Sequence, residues 1–258
     1  MKRFVILLLM INLTLFTISL SMDQAHAQDP SNPYGNKGFL LILYPLKDTT
    51  LSAEVAGKIK RISYDMGETF KKGDVLITLD SDYFHSEKEK AAANAAYSAA
   101  VYQLKKELYD QKSVSTVEYI KAQAEHDISK ASLAIARKNL AVCSVRAPYD
   151  GKVVKRLSRE NEFVAKGQPL LDIIDDRIIR VKFHLPSLLY SAIEVGQIYR
   201  IKINDIPSEF ESKITHISPI VESNTSSFQV FAQIDNAENK IRAGMTGYIR
   251  IEVKRDDL

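Results

Sequence analysis

The chain has 258 residues, with 35 Lys and Arg against 32 Asp and Glu and a net charge of +3. That length makes one large domain or two to three small ones, and 45% hydrophobic with 26% charged residues excludes wholesale disorder. So balanced a charge gives no support to nucleic-acid binding, which calls for a clustered basic face, and the lone Cys143 can build neither an intrachain disulfide nor a thiolate metal cage.

Lys2 and Arg3 precede an apolar run from Phe4 to Leu20, and Ala25-His26-Ala27 follows. This is the layout of a secretory signal over 1–27, cut after Ala27. Seventeen mostly apolar residues also just reach spanning length, so an uncleaved inner-membrane anchor is the alternative. Either way the remainder is exported. Residues 28–51 read as a turn-rich linker (DPSNPYGNKG over 29–38) followed by a first strand.

A repeat follows. Residues 53–76 read AEVAGKIKRISYDMGETFKKGDVL and residues 147–170 read APYDGKVVKRLSRENEFVAKGQPL. Gly57 to Gly73 and Gly151 to Gly167 have the same sixteen-residue spacing, with Lys58 on Lys152, Glu68 on Glu162, Lys72 on Lys166 and Leu76 on Leu170. Gly67 faces Asn161, and these two residue types adopt positive φ most readily, so a shared left-handed turn is expected. Gly57, Gly67, Gly73, Gly151, Asn161 and Gly167 are taken as the turn residues of the repeat. Between them apolar and polar residues alternate as in short half-buried strands.

From Asp74 to Ala147 there is neither Gly nor Pro, an exclusion typical of helices. Apolar residues recur at Ala93, Tyr97, Val101, Leu104 and Leu108, then at Val117, Ala124, Ile128, Ala131, Ile135 and Val142. The second set steps by three and four, which predicts a coiled-coil seam. Ser113, Ser115 and Thr116 with Glu118 mark a reversal and a new helix start. Two antiparallel helices are predicted, about 82–110 and 116–142, projecting roughly 40 Å. Further on, Phe228, Val230, Ala232 and Ile234 alternate with Gln229, Gln233 and Asp235, then Ile249, Ile251 and Val253 with Arg250, Glu252 and Lys254, as a small antiparallel barrel requires. Pro186, Pro207 and Pro219 are expected between these runs.

The two half-motifs A-x-x-x-G-x-I/V…K-x-G-x-x-L around a helical hairpin resemble the periplasmic adaptor, or membrane fusion, proteins of the efflux and HlyD-like type. Ile178–His184 (IIRVKFH), Leu185-Pro186, Val195-Gly196-Gln197, Ile217-Ser218-Pro219 with ESNTSSF to Phe228, and Ile241-Arg242-Ala243-Gly244-Met245 resemble successive parts of that family's barrel, with Ala243 where Pro is usual. The resemblance spans about 40–253. It implies a mixed-β, elongated fold: a lipoyl-like barrel-sandwich hybrid over 52–81 and 144–176, a long α-helical hairpin over 82–142, and a small antiparallel β-barrel over 177–254. Fuller adaptors carry a membrane-proximal domain built from both chain ends, and what lies outside these segments is too short for one.

Other chemistries find little purchase. His85, His126, His184 and His216 include no i, i+4 pair, so solvent-facing rings rather than a metal site are expected. Outside the signal, Met66 and Met245 are too few for a methionine metal relay. No nucleophile elbow, P-loop or dinucleotide motif is present, and Cys143 reads as a buried inert thiol. A lipoyl or biotinyl carrier needs its lysine on a tight turn between the halves, where this chain has helix. No enzyme, cofactor or metal is expected.

The resemblance also implies a site. Related efflux adaptors grip their channel through R-x-x-x-L-x-x-x-x-x-x-S at the hairpin tip. Here the frame falls on Leu104, Leu108 and Ser115, with Lys105 one residue from the Arg position. Leu104 alternatively fills the coil seam. The family reading is an exported, non-enzymatic adaptor that packs into a trimeric or hexameric ring. It would link an inner-membrane transporter of the resistance-nodulation-division or ABC type to a TolC-like outer-membrane channel. An exported lipoyl-like module binding a small ligand or envelope polymer is the other reading.

Overall fold

The computed structural model describes residues 38–251; the predicted signal, most of the linker and Val253 lie outside the described residues. Twelve strands and two long helices follow in order: β1 (Phe39–Ser52), β2 (Gly57–Ile62), β3 (Thr69–Phe70), β4 (Val75–Leu79), α1 (Asp82–Asp110), α2 (Thr116–Ala141), β5 (Ser144–Arg146), β6 (Gly151–Arg156), β7 (Phe163–Val164), β8 (Pro169–Pro186), β9 (Ile198–Ile203), β10 (Glu209–Glu222), β11 (Ser227–Asp235) and β12 (Thr246–Ile249). They make two compact units. One comprises Ile42–Val181 with Gln233–Met245, and the other is built on Lys182–Ala232 with the flanking chain ends.

In the first unit the two repeats interlock. β2 of the first repeat pairs with β7 of the second, Gly57 opposite Val164, while β6 of the second pairs with β3 of the first, Gly151 opposite Phe70. The loop bonds repeat the exchange. Ile59 N donates to Glu162 O (2.8 Å) and Val153 N to Glu68 O (3.1 Å); Asn161 N donates to Ile59 O and Gly67 N to Val153 O, both at 2.8 Å. Gly67 and Asn161 have φ of 87° and 66°, and Gly73 and Gly167 have 92° and 86°, the left-handed region where a Cβ is penalised.

Gly57 and Gly151 do not belong with these turn residues: they open β2 and β6. Gly151 is required there by space, because a Cβ would fall 2.2 Å from Ile174 O. Alternate side chains of the paired strands point inward and form one core from Ile59, Phe70, Leu76, Leu79, Val153, Val164, Leu170 and Ile173.

α1 and α2 leave this unit from adjacent strands, since β4 and β5 pair antiparallel with Thr78 opposite Ser144. The helices face each other through Ala91, Ala95, Ser98, Tyr102 and Lys105 on α1 and Tyr119, Ala122, His126, Ser129, Leu133, Ala136 and Leu140 on α2. Both sets step by three and four, as a helix–helix seam must. The predicted seam is therefore the wrong stripe. Ala93, Tyr97 and Leu104 are exposed, and so are Val117 (75%), Ala124, Ile128 (66%), Ala131 and Ile135 (63%). Small side chains at Ala95, Ser98 and Ala122 allow close approach, and the larger aliphatics of α2 are left facing outward.

The second unit follows the strand order β1-β12-β9-β10-β11-β8, and a further pairing of β1 with β8 closes the circuit. Its interior is Leu41, Phe183, Leu185, Leu189, Ile201, Ile203, Ile214, Phe228, Val230 and Ile249. Pro219, expected in a loop, lies inside β10, while Pro186 ends β8.

Two consecutive aspartates of β8 are buried in the first unit, Asp175 and Asp176. Asp175 accepts two bonds from the Arg177 guanidinium, at 2.9 and 2.8 Å, and Asp176 lies 2.8 Å from Lys152 Nζ. Asn236 straps the segment down, donating to Asp176 O and Ile241 O. The Arg177 bonds hold the Asp175 carboxyl below its ordinary 3.8 against the opposing effect of burial. A depressed carboxylate contributes stability above its unfolded pKa and loses it as pH falls through the folded one. Arg177→Gln leaves that buried charge unpaired, so urea unfolding at pH 7 is expected to show a loss of about 3 kcal/mol. The gap to the parent should narrow as the pH falls, first as the unpaired carboxyl of the variant takes up a proton, then as the parent loses its ion pair below the ordinary aspartate value.

Candidate functional site

The end of the helical pair is shaped by two opposite capping devices. α1 stops where Lys112 takes φ 56°, with Lys112 N donating to Tyr109 O and Ser113 N to Leu108 O, both at 2.8 Å. This is a Schellman closure with a lysine where Gly or Asn is usual. α2 starts at a capping box. Glu118 N donates to Ser115 Oγ and Ser115 N donates to Glu118 Oε2, each at 3.2 Å. The Ser115 N–H, then Lys105 Nζ at 3.4 Å, lower the Glu118 carboxyl below its ordinary range.

The four tip residues named from the sequence thus have different situations. Ser115 holds the start of α2, and Lys105 crosses to Glu118 at the edge of the seam. Leu108 is half-buried, whereas Leu104 is 55% exposed and stands outside the seam.

Sequence reading missed an aromatic ladder behind the tip. Tyr102 stacks on His126 (centroids 5.6 Å, 2° between planes), Tyr109 stacks on Tyr119 (4.9 Å, 15°), and the Tyr102 and Tyr119 hydroxyls are 3.4 Å apart. Both pairs within a helix, Tyr102 with Tyr109 and Tyr119 with His126, are seven residues apart, and that heptad spacing was the available signal. His126 is consequently not a solvent-facing ring: its Nδ1 is buried without a hydrogen-bond partner.

Cys143 is buried, its thiol pushed up by burial and donating to Asn139 O at 3.3 Å. Among the described residues no group of three or more His, Cys, Asp or Glu is arranged to hold a metal ion, and no helix is long and apolar enough to cross a membrane.

Comparison with known proteins decides the family. Residues 47–175 match the CzcB-like barrel-sandwich hybrid domain and residues 181–255 the CusB-like β-barrel domain. This chain belongs to the membrane fusion, or periplasmic adaptor, proteins of efflux pumps. Members of the family are adaptors and not enzymes. The multidrug resistance protein MexA of Pseudomonas aeruginosa is 25% identical over 217 residues, which cover 77% of this chain and 56% of MexA. The nodulation protein NolF of Rhizobium meliloti is 22% identical over 231 residues, covering 83% of this chain and 63% of NolF. The chain thus spans a little over half the length of these curated relatives. Among solved structures, a MacA-MexA chimera carrying the Pseudomonas aeruginosa MexA α-hairpin superposes with a TM-score of 0.71 at 25% identity, covering 83% of this chain and 81% of the chimera. A putative efflux transporter from Bacteroides eggerthii shares the fold, with a TM-score of 0.72 at 19% identity, covering 83% of this chain and 67% of that one.

The capping box carries its own prediction. Ser115→Ala is expected to lower helix-pair stability by about 1 kcal/mol in thermal unfolding, and Ser115→Asn to retain most of it. His126→Leu, which removes the unpartnered buried nitrogen, should raise stability by about 1 kcal/mol in the same measurement.

Proposed function

We propose that this protein is the periplasmic adaptor subunit of a tripartite export system, linking an inner-membrane transporter to a TolC-like outer-membrane channel. The observation that carries this reading is the outward apolar surface of the helical pair. Val117, Ala124, Ile128, Ala131 and Ile135 make a stripe about 27 Å long on α2, and Leu104 adds an exposed leucine near the tip. A monomer gains nothing by exposing so regular a row of aliphatics, and such patches mark protein–protein surfaces.

The two features divide the work. The stripe lies along the side of the hairpin and suits lateral packing of neighbouring copies in a trimeric or hexameric ring. Leu104, with Lys105, Leu108 and Ser115, lies at the end and suits contact with the channel. The transporter, of the resistance-nodulation-division or ABC type, would meet the barrel and its loops. Span and seal are then the whole activity, with no bond made or broken and no cofactor. The sandwich, hairpin and barrel act over 52–81 with 144–176, 82–142 and 177–254, in an exported protein held at the cell envelope.

Because Ser115 caps α2 and Leu108 is half-buried, Leu104 is the cleaner probe of docking. Leu104→Glu is expected to cut export by at least about tenfold while thermal unfolding stays within about 0.5 kcal/mol of the parent, as for a surface change. A photocrosslinker at position 104 should capture the channel in cells, and one at Ile128 should capture a second copy. Unchanged export with Leu104→Glu, or crosslinks to neither, would refute the reading.

A further inference from the structure

We propose that the outward face of β9 and β12 is a docking surface for anionic phospholipid headgroups, a contact separate from channel and ring. Strand alternation places Ile201 and Ile203 in the barrel interior and leaves Ile198, Arg200 and Lys202 facing out. β12 pairs with β9 antiparallel, Tyr248 opposite Lys202 and Ile249 opposite Ile201. One further step in that register sets Arg250 opposite Arg200.

Like charges directly opposite on neighbouring strands destabilise a sheet. No close ion pair engages them: among the described residues Arg200, Lys202 and Arg250 have no carboxylate within 4 Å. Glu209 and Glu211 stand opposite Lys202 and Arg200 on β10, yet neither carboxylate closes on them.

These three cations line an open groove of about 720 Å³ together with Ile198, Tyr248 and a single carboxylate, Glu209. Gly38 completes its edge: a Cβ there would meet the Tyr248 Cβ at 2.8 Å, so only glycine leaves that ring its place. Two guanidiniums and an ammonium converging on an open groove are suited to phosphate oxygens, which accept the guanidinium fork two bonds at a time.

Two observations favour a lipid surface over free phosphate. Ile198 and Tyr248 are exposed apolar side chains lining the groove beside the cations, and Leu40 is exposed on β1, the strand next to β12. Basic groups rimmed by aliphatic and aromatic ones match the headgroup–acyl boundary of a bilayer. In the alternative in which the apolar run is kept as an anchor, the groove begins at Gly38, eighteen residues after that run ends at Leu20. That length spans at most about 60 Å, so a bilayer holding the run would lie within reach of the groove.

The test uses the full chain with vesicles of phosphatidylcholine alone, or with about 30% phosphatidylglycerol, doped with photoactivatable phosphatidylglycerol. Crosslinks should map to 198–204 and 246–250 in the anionic vesicles only. They should fall by about tenfold in Arg200→Gln/Arg250→Gln, with circular dichroism unchanged and labelling of the N-terminal apolar run unaffected. Raising sodium chloride on the parent protein should weaken the groove crosslinks in parallel, which needs no variant to fold. Equal labelling from neutral vesicles, no labelling of the groove, or loss of its labelling on adding millimolar inorganic phosphate would each overturn the proposal. So would groove labelling that appears only when the transporter is added.

Discussion

The structure depends on an exchange of short strands between two halves of a duplicated sequence. Neither half closes alone, because β2 needs β7 and β6 needs β3. The two-residue partners β3 and β7 are too short to persist as isolated hairpins. They are held by loops whose backbone bonds recur in both halves with nearly equal lengths. Local turn chemistry in each repeat therefore becomes a long-range constraint: positive φ at Gly67 and Asn161 presents Glu68 and Glu162 to the opposite half. The chain between the halves, however long, begins and ends at fixed places.

This part of the fold was legible because its signal is spacing. A step of sixteen residues from glycine to glycine, repeated, survives divergence of most positions between them, and the Gly67–Asn161 match made sense only as a shared backbone conformation. Barrel alternation was legible for a similar reason, since Phe228, Val230, Ala232 and Ile234 alternate with Gln229, Gln233 and Asp235, Phe231 being the one apolar interruption. The helix seam was not. Two stripes of α2 both step by three and four, and the more hydrophobic one faces out. Apolar character at helical spacing does not by itself mark burial here, because the seam selects side chains small enough for two backbones to approach, or flat enough to stack.

At the tip the sequence named residues whose local duties differ from one another. Ser115 is engaged by its own helix and Lys105 by Glu118, while Leu104 has no visible employment within the molecule. Family resemblance could locate this neighbourhood but could not tell these cases apart, because capping and docking draw on the same residue types. Only hydrogen-bond geometry and exposure separate a side chain that builds the tip from one the tip displays. The tyrosine–histidine ladder makes the complementary point. Its heptad spacing was present in the sequence, but aromatic residues on a polar helix do not announce that they face each other.

The emergence of both helices from neighbouring strands has a consequence for how such chains diversify. Thr78 and Ser144 are opposite each other across the β4–β5 ladder, so the out-going and returning backbones start side by side whatever lies beyond. Whole heptads can be added to or taken from both helices in concert, and the sandwich registers no change in its own geometry. The arm is in this sense an extensible graft, its length free to change while the joint that bears it stays the same.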